Sequence, residues 1–343
     1  MNDITTIGLD LAKNVFQLHG VDASGEVVLR RQLRRRQLLA FFKTLPPCLI
    51  GVEACATSHY WARELQAVGH TVRIMPASYV KAYVKRNKTD AADAQAICEA
   101  VTRPTMRFVG VKSAEQQSLL MLHRSRSLLI RQRTMLVNAI RAHMAELGIV
   151  APVGRRGVAV LCAIIADPED EQLPALARRC LESLVATLMT VEREVAGHER
   201  RIHAWHRSNE VSQRLETIPG IGPIIATALV ASVSDPTVFK SGRELAAWIG
   251  LVPKANSTGG KERLGRISKQ GDPYLRWLLV AGAMSVIRHG RKTNFATRPG
   301  LADLVHRKPP KVAAVALANR IARTAWALLA KGGTYQTPAP LPA

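Results

Sequence analysis

The chain has 343 residues, 47% of them hydrophobic and 22% charged, which excludes a disordered chain and leaves room for more than one domain. Lysine and arginine number 48 against 26 aspartate and glutamate, a formal charge of +22. A globular chain this basic calls for a polyanionic partner, because each neutralised phosphate releases counterions, and an aromatic content of only 5% favours gripping duplex backbones over reading by base stacking.

In chain order, residues 4–11, 15–21 and 26–33 are three strand-like runs separated by turn residues. A helical piece at 36–44 leads over two prolines to an apolar strand at 48–52. A helix at 58–68, a strand at 71–75 and a helix starting near Asp90 follow. Three meandering strands followed by alternating helices and strands is the element order of an RNase H-like fold. From 113 to 147 the chain turns helical and basic, with eight Lys or Arg against one acid, Glu115, between Arg103 and Arg141. Met121, Leu128, Met135 and Ala142 form a heptad-spaced row there, flanked by Leu122, Leu129 and Leu136. A Gly- and Pro-marked stretch (Gly148, Pro152, Gly154, Gly157) separates it from a second long helix. Leu181, Leu184, Leu188, Val191, Val195, His198, Ile202 and Trp205 step along that helix by threes and fours, an a/d seam that fits either an intramolecular hairpin or an oligomerising coiled coil. The remainder opens with TIPGIGPIIATAL, a helix-hairpin-helix-like signal, and continues through a Gly- and Ser-rich loop to apolar helices at 273–289 and 310–330. The tail at 332–343 reads as disordered.

Cys48, Cys55, Cys98, Cys162 and Cys180 are odd in number, and no two lie two to four residues apart. They read as small core residues of a cytosolic protein, not as a disulfide framework or a zinc site. The N-terminus has no signal-peptide pattern, and apolar stretches such as 158–166 and 277–287 fall short of the ~20 residues a membrane span needs. A cytoplasmic, nucleoid-associated protein is expected.

Four carboxylates stand where chemistry could use them. Asp10 lies inside the apolar run of the first strand, where a charge is costly unless it is paired or holds a metal. Glu53 closes the strand LIGVE. Asp90 and Asp93 are three apart, so on a helix they share a side. In an RNase H-like sheet the first and fourth strands are neighbours and the helix after the fifth packs near their ends, which brings the four together. Hard oxygen ligands of this kind suit Mg²⁺, and two such ions can clamp the attacking and leaving oxygens of a phosphoryl transfer. Singly, each acid has a plainer reading: Asp90 as an N-cap, Glu53 as a surface charge, Asp10 as a partner of Lys13. Gly220 and Gly222 allow a tight turn that presents backbone amides to phosphate. The loop Asn256-Ser257-Thr258-Gly259-Gly260-Lys261 shows ordinary turn chemistry, and His198, His203 and His206 read as surface or seam histidines.

The motifs GLDLAK, GVEACAT, RNKTDAADA, TIPGIGPIIATAL and GLVPKANSTGGKERLGRISKQGDPYLR appear in order over nearly the whole chain. Together they resemble the DEDD insertion-sequence transposases, bridge-RNA-guided recombinases that include Piv-type DNA invertases. The resemblance implies a RuvC-like domain at 1–110 with Asp10, Glu53, Asp90 and Asp93 as a Mg²⁺-binding tetrad. It further implies a helical coiled-coil region at 111–210, and a transposase domain at 211–331 whose serine loop supplies a nucleophile for a covalent phosphoserine link to DNA. Partners would be donor and target DNA, a structured guide RNA and further copies of the chain, as a dimer or tetramer. Many members carry Ser-Gly or Ser-Ser-Gly in the loop; here Ser257-Thr258-Gly259 leaves two hydroxyls for the position, and Ser257 is chosen as the loop's only serine. Two other classes fit the charge: a RuvC-like nuclease or resolvase using water, and a non-catalytic nucleic-acid-binding scaffold.

Overall fold

The buried and exposed residues of the first hundred positions resolve into one five-stranded sheet. β1 (Thr6–Asp10), β2 (Val15–Val21) and β3 (Val27–Arg34) form an antiparallel meander. β4 (Leu49–Glu53) pairs in parallel with the free side of β1, and β5 (Thr71–Met75) pairs in parallel with β4, giving the order β3-β2-β1-β4-β5. The helices are α1 (Leu38–Phe42), α2 (Ser58–Ala67), α3 (Ala77–Val80) and α4 (Asp90–Val101). The structure is a computed structural model that describes residues 4–84, 89–293, 295 and 299–336.

The central strands β1 and β4 are covered on both faces, which is why they read as nearly continuous apolar runs. One face packs Ile7, Leu9, Phe16, Ile50, Val52, Trp61 and Leu65 into a core. The other lies under α4, whose Ala96, Ile97, Ala100 and Val101 cluster with Met75 and Val80. Two glycines make that second layer possible. A Cβ on Gly8 would collide with the carbonyl of Ala94, and one on Gly51 would come within 2.8 Å of Val101 Cβ. A glycine in a strand here marks a close approach of another backbone.

The chain separates into two units, residues 1–117 with 232–238 and residues 118–231 with 239–343. In the second, α5 (Ala114–Glu146, its first residues in the first unit), α6 (Arg155–Ala166) and α7 (Ala175–Arg207) share a core of Ile140, Met144, Leu161, Ile165, Leu181 and Leu188. The opposite end of α5 clusters Leu119, Leu120 and Leu122 with Trp205 of α7. Arg126 and Glu199 form an ion pair of 2.5 Å between these ends. The two long helices therefore run antiparallel within one chain, and Leu181, Leu188, Val191, Val195 and Ile202 of the expected seam are buried there. The row expected on α5 differs: Met121 and Met135 are 67% and 69% exposed. Two apolar stripes run along that helix, and the covered one carries Leu119, Leu120, His123, Ile140 and Met144.

The remaining elements are α8 (Glu210–Glu216), α9 (Pro223–Ser232), α10 (Gly242–Ile249), β6 (Pro253–Thr258), β7 (Lys261–Ile267), α11 (Pro273–Lys292), α12 (Pro299–Arg307) and α13 (Pro310–Lys331). The region expected to be a Gly- and Ser-rich loop is thus a β-hairpin, and the Gly- and Pro-marked stretch runs into α6. Gly157 lies in that helix, at a place where a Cβ would strike the carbonyl of Pro152. One described helix, α13, is long and apolar enough to cross a membrane by length and composition. Counting uninterrupted apolar runs misses it, since Lys311, Asn319, Arg320 and Arg323 break the run. Its Ala313, Ala314, Ala318, Ile321, Ala322, Ala325 and Leu328 are buried in the protein. Cys48 and Cys98 are buried as expected, whereas Cys55 and Cys180 are exposed. Residues 332–336 are irregular, yet the Tyr335 amide donates to Thr217 Oγ1 at 3.0 Å; the expected disorder at 337–343, like residues 86–88 of the RNKTDAADA motif, lies outside the described residues.

Candidate active site

Asp10 is the last residue of β1 and Glu53 the last of β4. The parallel register pairs Leu9 with Val52, so the two acids occupy the next rung, side by side at the C-terminal ends of neighbouring strands. Each is half-buried. The direction of α4 decides where the other two lie. Cys98 Sγ donates to the carbonyl of Thr6 at 3.8 Å, and Gly8 faces Ala94 and Cys98. Going back along α4 thus means going forward along β1, and the first turn of α4, with half-buried Asp93 and exposed Asp90, points to the strand end that carries Asp10. Asp90 is not the N-cap: Thr89 holds that place and accepts from the Ala92 amide at 3.2 Å.

All four carboxylates therefore belong to one end of the sheet. Among the described residues, no three His, Cys, Asp or Glu side chains close into a ready-made metal cage. The donor set is nevertheless carboxylate oxygen at a partly open strand end, which suits a hard cation that keeps waters and takes further ligands from substrate phosphates. Asp10 and Glu53 would be the inner holders, with Asp93 and Asp90 approaching from the helix.

Ser257 and Thr258 lie at the tip of the β6–β7 hairpin. Gly259 and Gly260, with φ of +57° and +76°, make the two-residue turn, the left-handed pair that such a hairpin requires. The register pairs Ala255 with Leu264, Asn256 with Arg263, Ser257 with Glu262 and Thr258 with Lys261. Because faces alternate along a strand, Ser257 shares a face with Ala255 and Leu264. Thr258 shares the other with Asn256, Arg263 and Lys261. The two residues therefore present opposite faces of the ribbon. The whole of β6 is exposed, and Leu264 is 73% exposed.

The TIPGIG segment forms the turn between α8 and α9. There Gly220, at φ +97°, backs onto Gly282, Val286 and Ile321. His206, expected at the surface or in the seam, is buried and ties α7 to α8: its Nδ1 lies 2.8 Å from Ser212 Oγ and its Nε2 2.8 Å from Glu216 Oε2. His123, on the covered stripe of α5, was not marked by any sequence signal, because a lone histidine among basic residues looks like one more surface charge.

Comparison with known proteins gives this arrangement its class. Residues 7–149 match a transposase domain of the DEDD type, and residues 212–297 match the model described as "Transposase IS116/IS110/IS902 family". The protein is a DNA transposase. It is 50% identical over 97% of its length to a Pseudomonas aeruginosa protein, itself 99% covered, named "Probable family 20 transposase". It is 38% identical to the transposase for insertion sequence element IS1328 of Yersinia enterocolitica, with 98% of this chain and 99% of that one covered. The transposase for IS1111A of Coxiella burnetii is 37% identical, with 98% and 92% covered. The chain belongs to the IS110/IS116/IS902 family of DEDD insertion-sequence transposases, and such membership implies dependence on a divalent metal.

Proposed function

We propose that this transposase cuts and rejoins DNA through Ser257, with Asp10, Glu53, Asp90 and Asp93 as the metal-binding tetrad of an RNase H-like, RuvC-like domain. The observation that carries the reading is the rung shared by Asp10 and Glu53, with the first turn of α4 directed at the same strand end. Mg²⁺ is the ion assigned to this site, and when bound it supplies charge stabilisation to a phosphoryl transfer.

Ser257 Oγ attacks a DNA phosphorus. The Oγ–P bond forms, the P–O bond to the leaving strand breaks, the serine proton passes to a base and the leaving oxygen is protonated. A hydroxyl of another strand end reverses these steps and frees the serine. The phosphodiester energy is conserved in the phosphoserine link, so strand exchange needs no nucleotide cofactor. Lys254, Lys261, Arg263 and Arg266 on the hairpin draw it to the DNA backbone. The basic helices at 111–210 bind a structured guide RNA whose pairing with donor and target DNA selects sequence. Copies of the chain assemble as a dimer or tetramer on the nucleoid in the cytoplasm.

The test is strand cleavage on labelled donor DNA in Mg²⁺, using protein purified with its nucleic acid. Asp10→Asn and Glu53→Gln should each bring cleavage below detection while binding persists, since the amides keep shape and lose the charge that holds a hard cation. Wild-type cleavage by either variant refutes the tetrad, and the absence of a discrete co-purifying RNA refutes the guide.

A further inference from the structure

The second unit holds a buried polar chain whose outer end is an exposed aromatic platform. The Thr227 hydroxyl donates to the Pro223 carbonyl at 2.7 Å. It therefore accepts from His123 Nε2–H at 3.0 Å, which leaves Nδ1 to accept from the Tyr274 hydroxyl, also at 3.0 Å. His123 is fully buried, and burial, with Arg126 nearby, lowers its pKa to about 4. The imidazole is thus neutral and its tautomer set, which clamps the Tyr274 ring by its hydroxyl. Trp277, one turn further along α11, stacks on that ring with centroids 6.3 Å apart and planes 26° from parallel. Trp277 nevertheless keeps 57% of its surface exposed.

Tyr274 also forms one wall of a shallow groove lined by Arg124, Ser125, Ser127 and Arg131 of α5. Arg124 and Arg131 are exposed, and among the described residues neither is paired with a carboxylate. An exposed indole stacked on a clamped tyrosine, which itself walls a groove carrying unneutralised guanidinium groups, matches a base flanked by phosphates: the ring face stacks and the cations take the backbone. A duplex hides its base faces, so the ligand must be unpaired.

We propose that Trp277, backed by Tyr274, stacks an unpaired base of single-stranded DNA while Arg124 and Arg131 hold the adjoining phosphates. Arg124 and Arg131 are thereby set apart from the other basic residues of 111–210, which the proposed function gives to the guide RNA; DNA is the strand chosen because a transposase exposes unpaired DNA whenever it opens a duplex. The site rests on the transposase assignment and does not depend on Ser257.

The experiment is fluorescence anisotropy with the full-length protein and three labelled probes: an oligothymidylate of ~12 nucleotides, within the span of one such groove, an oligouridylate of equal length, and a duplex. Trp277→Ala should weaken oligothymidylate binding about tenfold, Trp277→Phe should restore most of it, and duplex binding should stay unchanged. Arg124→Ala with Arg131→Ala should lower the slope of log affinity against log salt by ~1.4, as two lost single-strand phosphate contacts require. Unchanged oligothymidylate affinity in Trp277→Ala overturns the site, as does equal weakening on the duplex. Weakening confined to oligouridylate also overturns it, by making the groove an RNA site.

Discussion

The carboxylate end of the sheet and the serine hairpin are held in place by opposite means. Asp10 and Glu53 close strands buried on both faces, and α4 sits on those strands so tightly that Gly8 and Gly51 have no room for a methyl group. Ser257 sits on an exposed two-stranded ribbon held mainly by its own ladder, with nothing within 4 Å of a Cβ added at Gly259 or Gly260. Packing fixes the acids to their positions before any ligand arrives. No such packing holds the tip of the hairpin. Under the serine reading proposed above, strand exchange would use both: a fixed electrostatic centre, and a nucleophile on an element free to follow the DNA.

Three stability measurements sharpen or break this contrast. Gly8→Ala should have the largest effect, because the added methyl meets helix backbone and not a flexible side chain. Urea denaturation should show a loss of about 3 kcal/mol or more, together with loss of cleavage; a change near zero would mean that α4 is not seated on β1. Acid tests the helical unit through His123. Its folded pKa of about 4 lies below the ordinary value of 6.5, so the unfolded chain binds the proton first. Its contribution is complete above pH 6.5 and is lost as pH falls towards 4, at most about 3 kcal/mol. His123→Asn should be less stable at neutral pH but flatter over that window, and an equal slope in both proteins would place the acid sensitivity elsewhere. Gly259→Ala should have the smallest effect, about 1 kcal/mol for a left-handed alanine, because no neighbour is struck. A larger loss would show that the hairpin is packed after all.

The sheet was legible in the sequence because its central strands are uninterrupted apolar runs closed by acids, which is what strands buried on both faces and ending at a polar site must look like. The observed β2 and β5 have the bounds that the alternation predicts. The hairpin was not legible. KANST and KERLGRI have no apolar alternation, since no core lies on either side of them, and only the Gly-Gly pair signals a two-residue turn. The α5 row shows the complementary limit. Heptad spacing at Met121, Leu128 and Met135 reports an apolar stripe but not which stripe is covered. His123 and Gly8 owe their importance to residues far along the chain, Tyr274 and Ala94, and local pattern holds no trace of such partners.

The two hydroxyls on opposite hairpin faces allow the most direct measurement. Wild-type protein, Ser257→Ala and Thr258→Ala are incubated with labelled donor DNA in Mg²⁺, denatured, and mapped by mass spectrometry for a nucleotide-modified residue. Serine chemistry predicts an adduct on Ser257 that persists in Thr258→Ala and vanishes in Ser257→Ala, because Thr258, the neighbouring hydroxyl, lies on the other face. An adduct on Thr258, or DNA cleavage with no adduct on either residue, would contradict it.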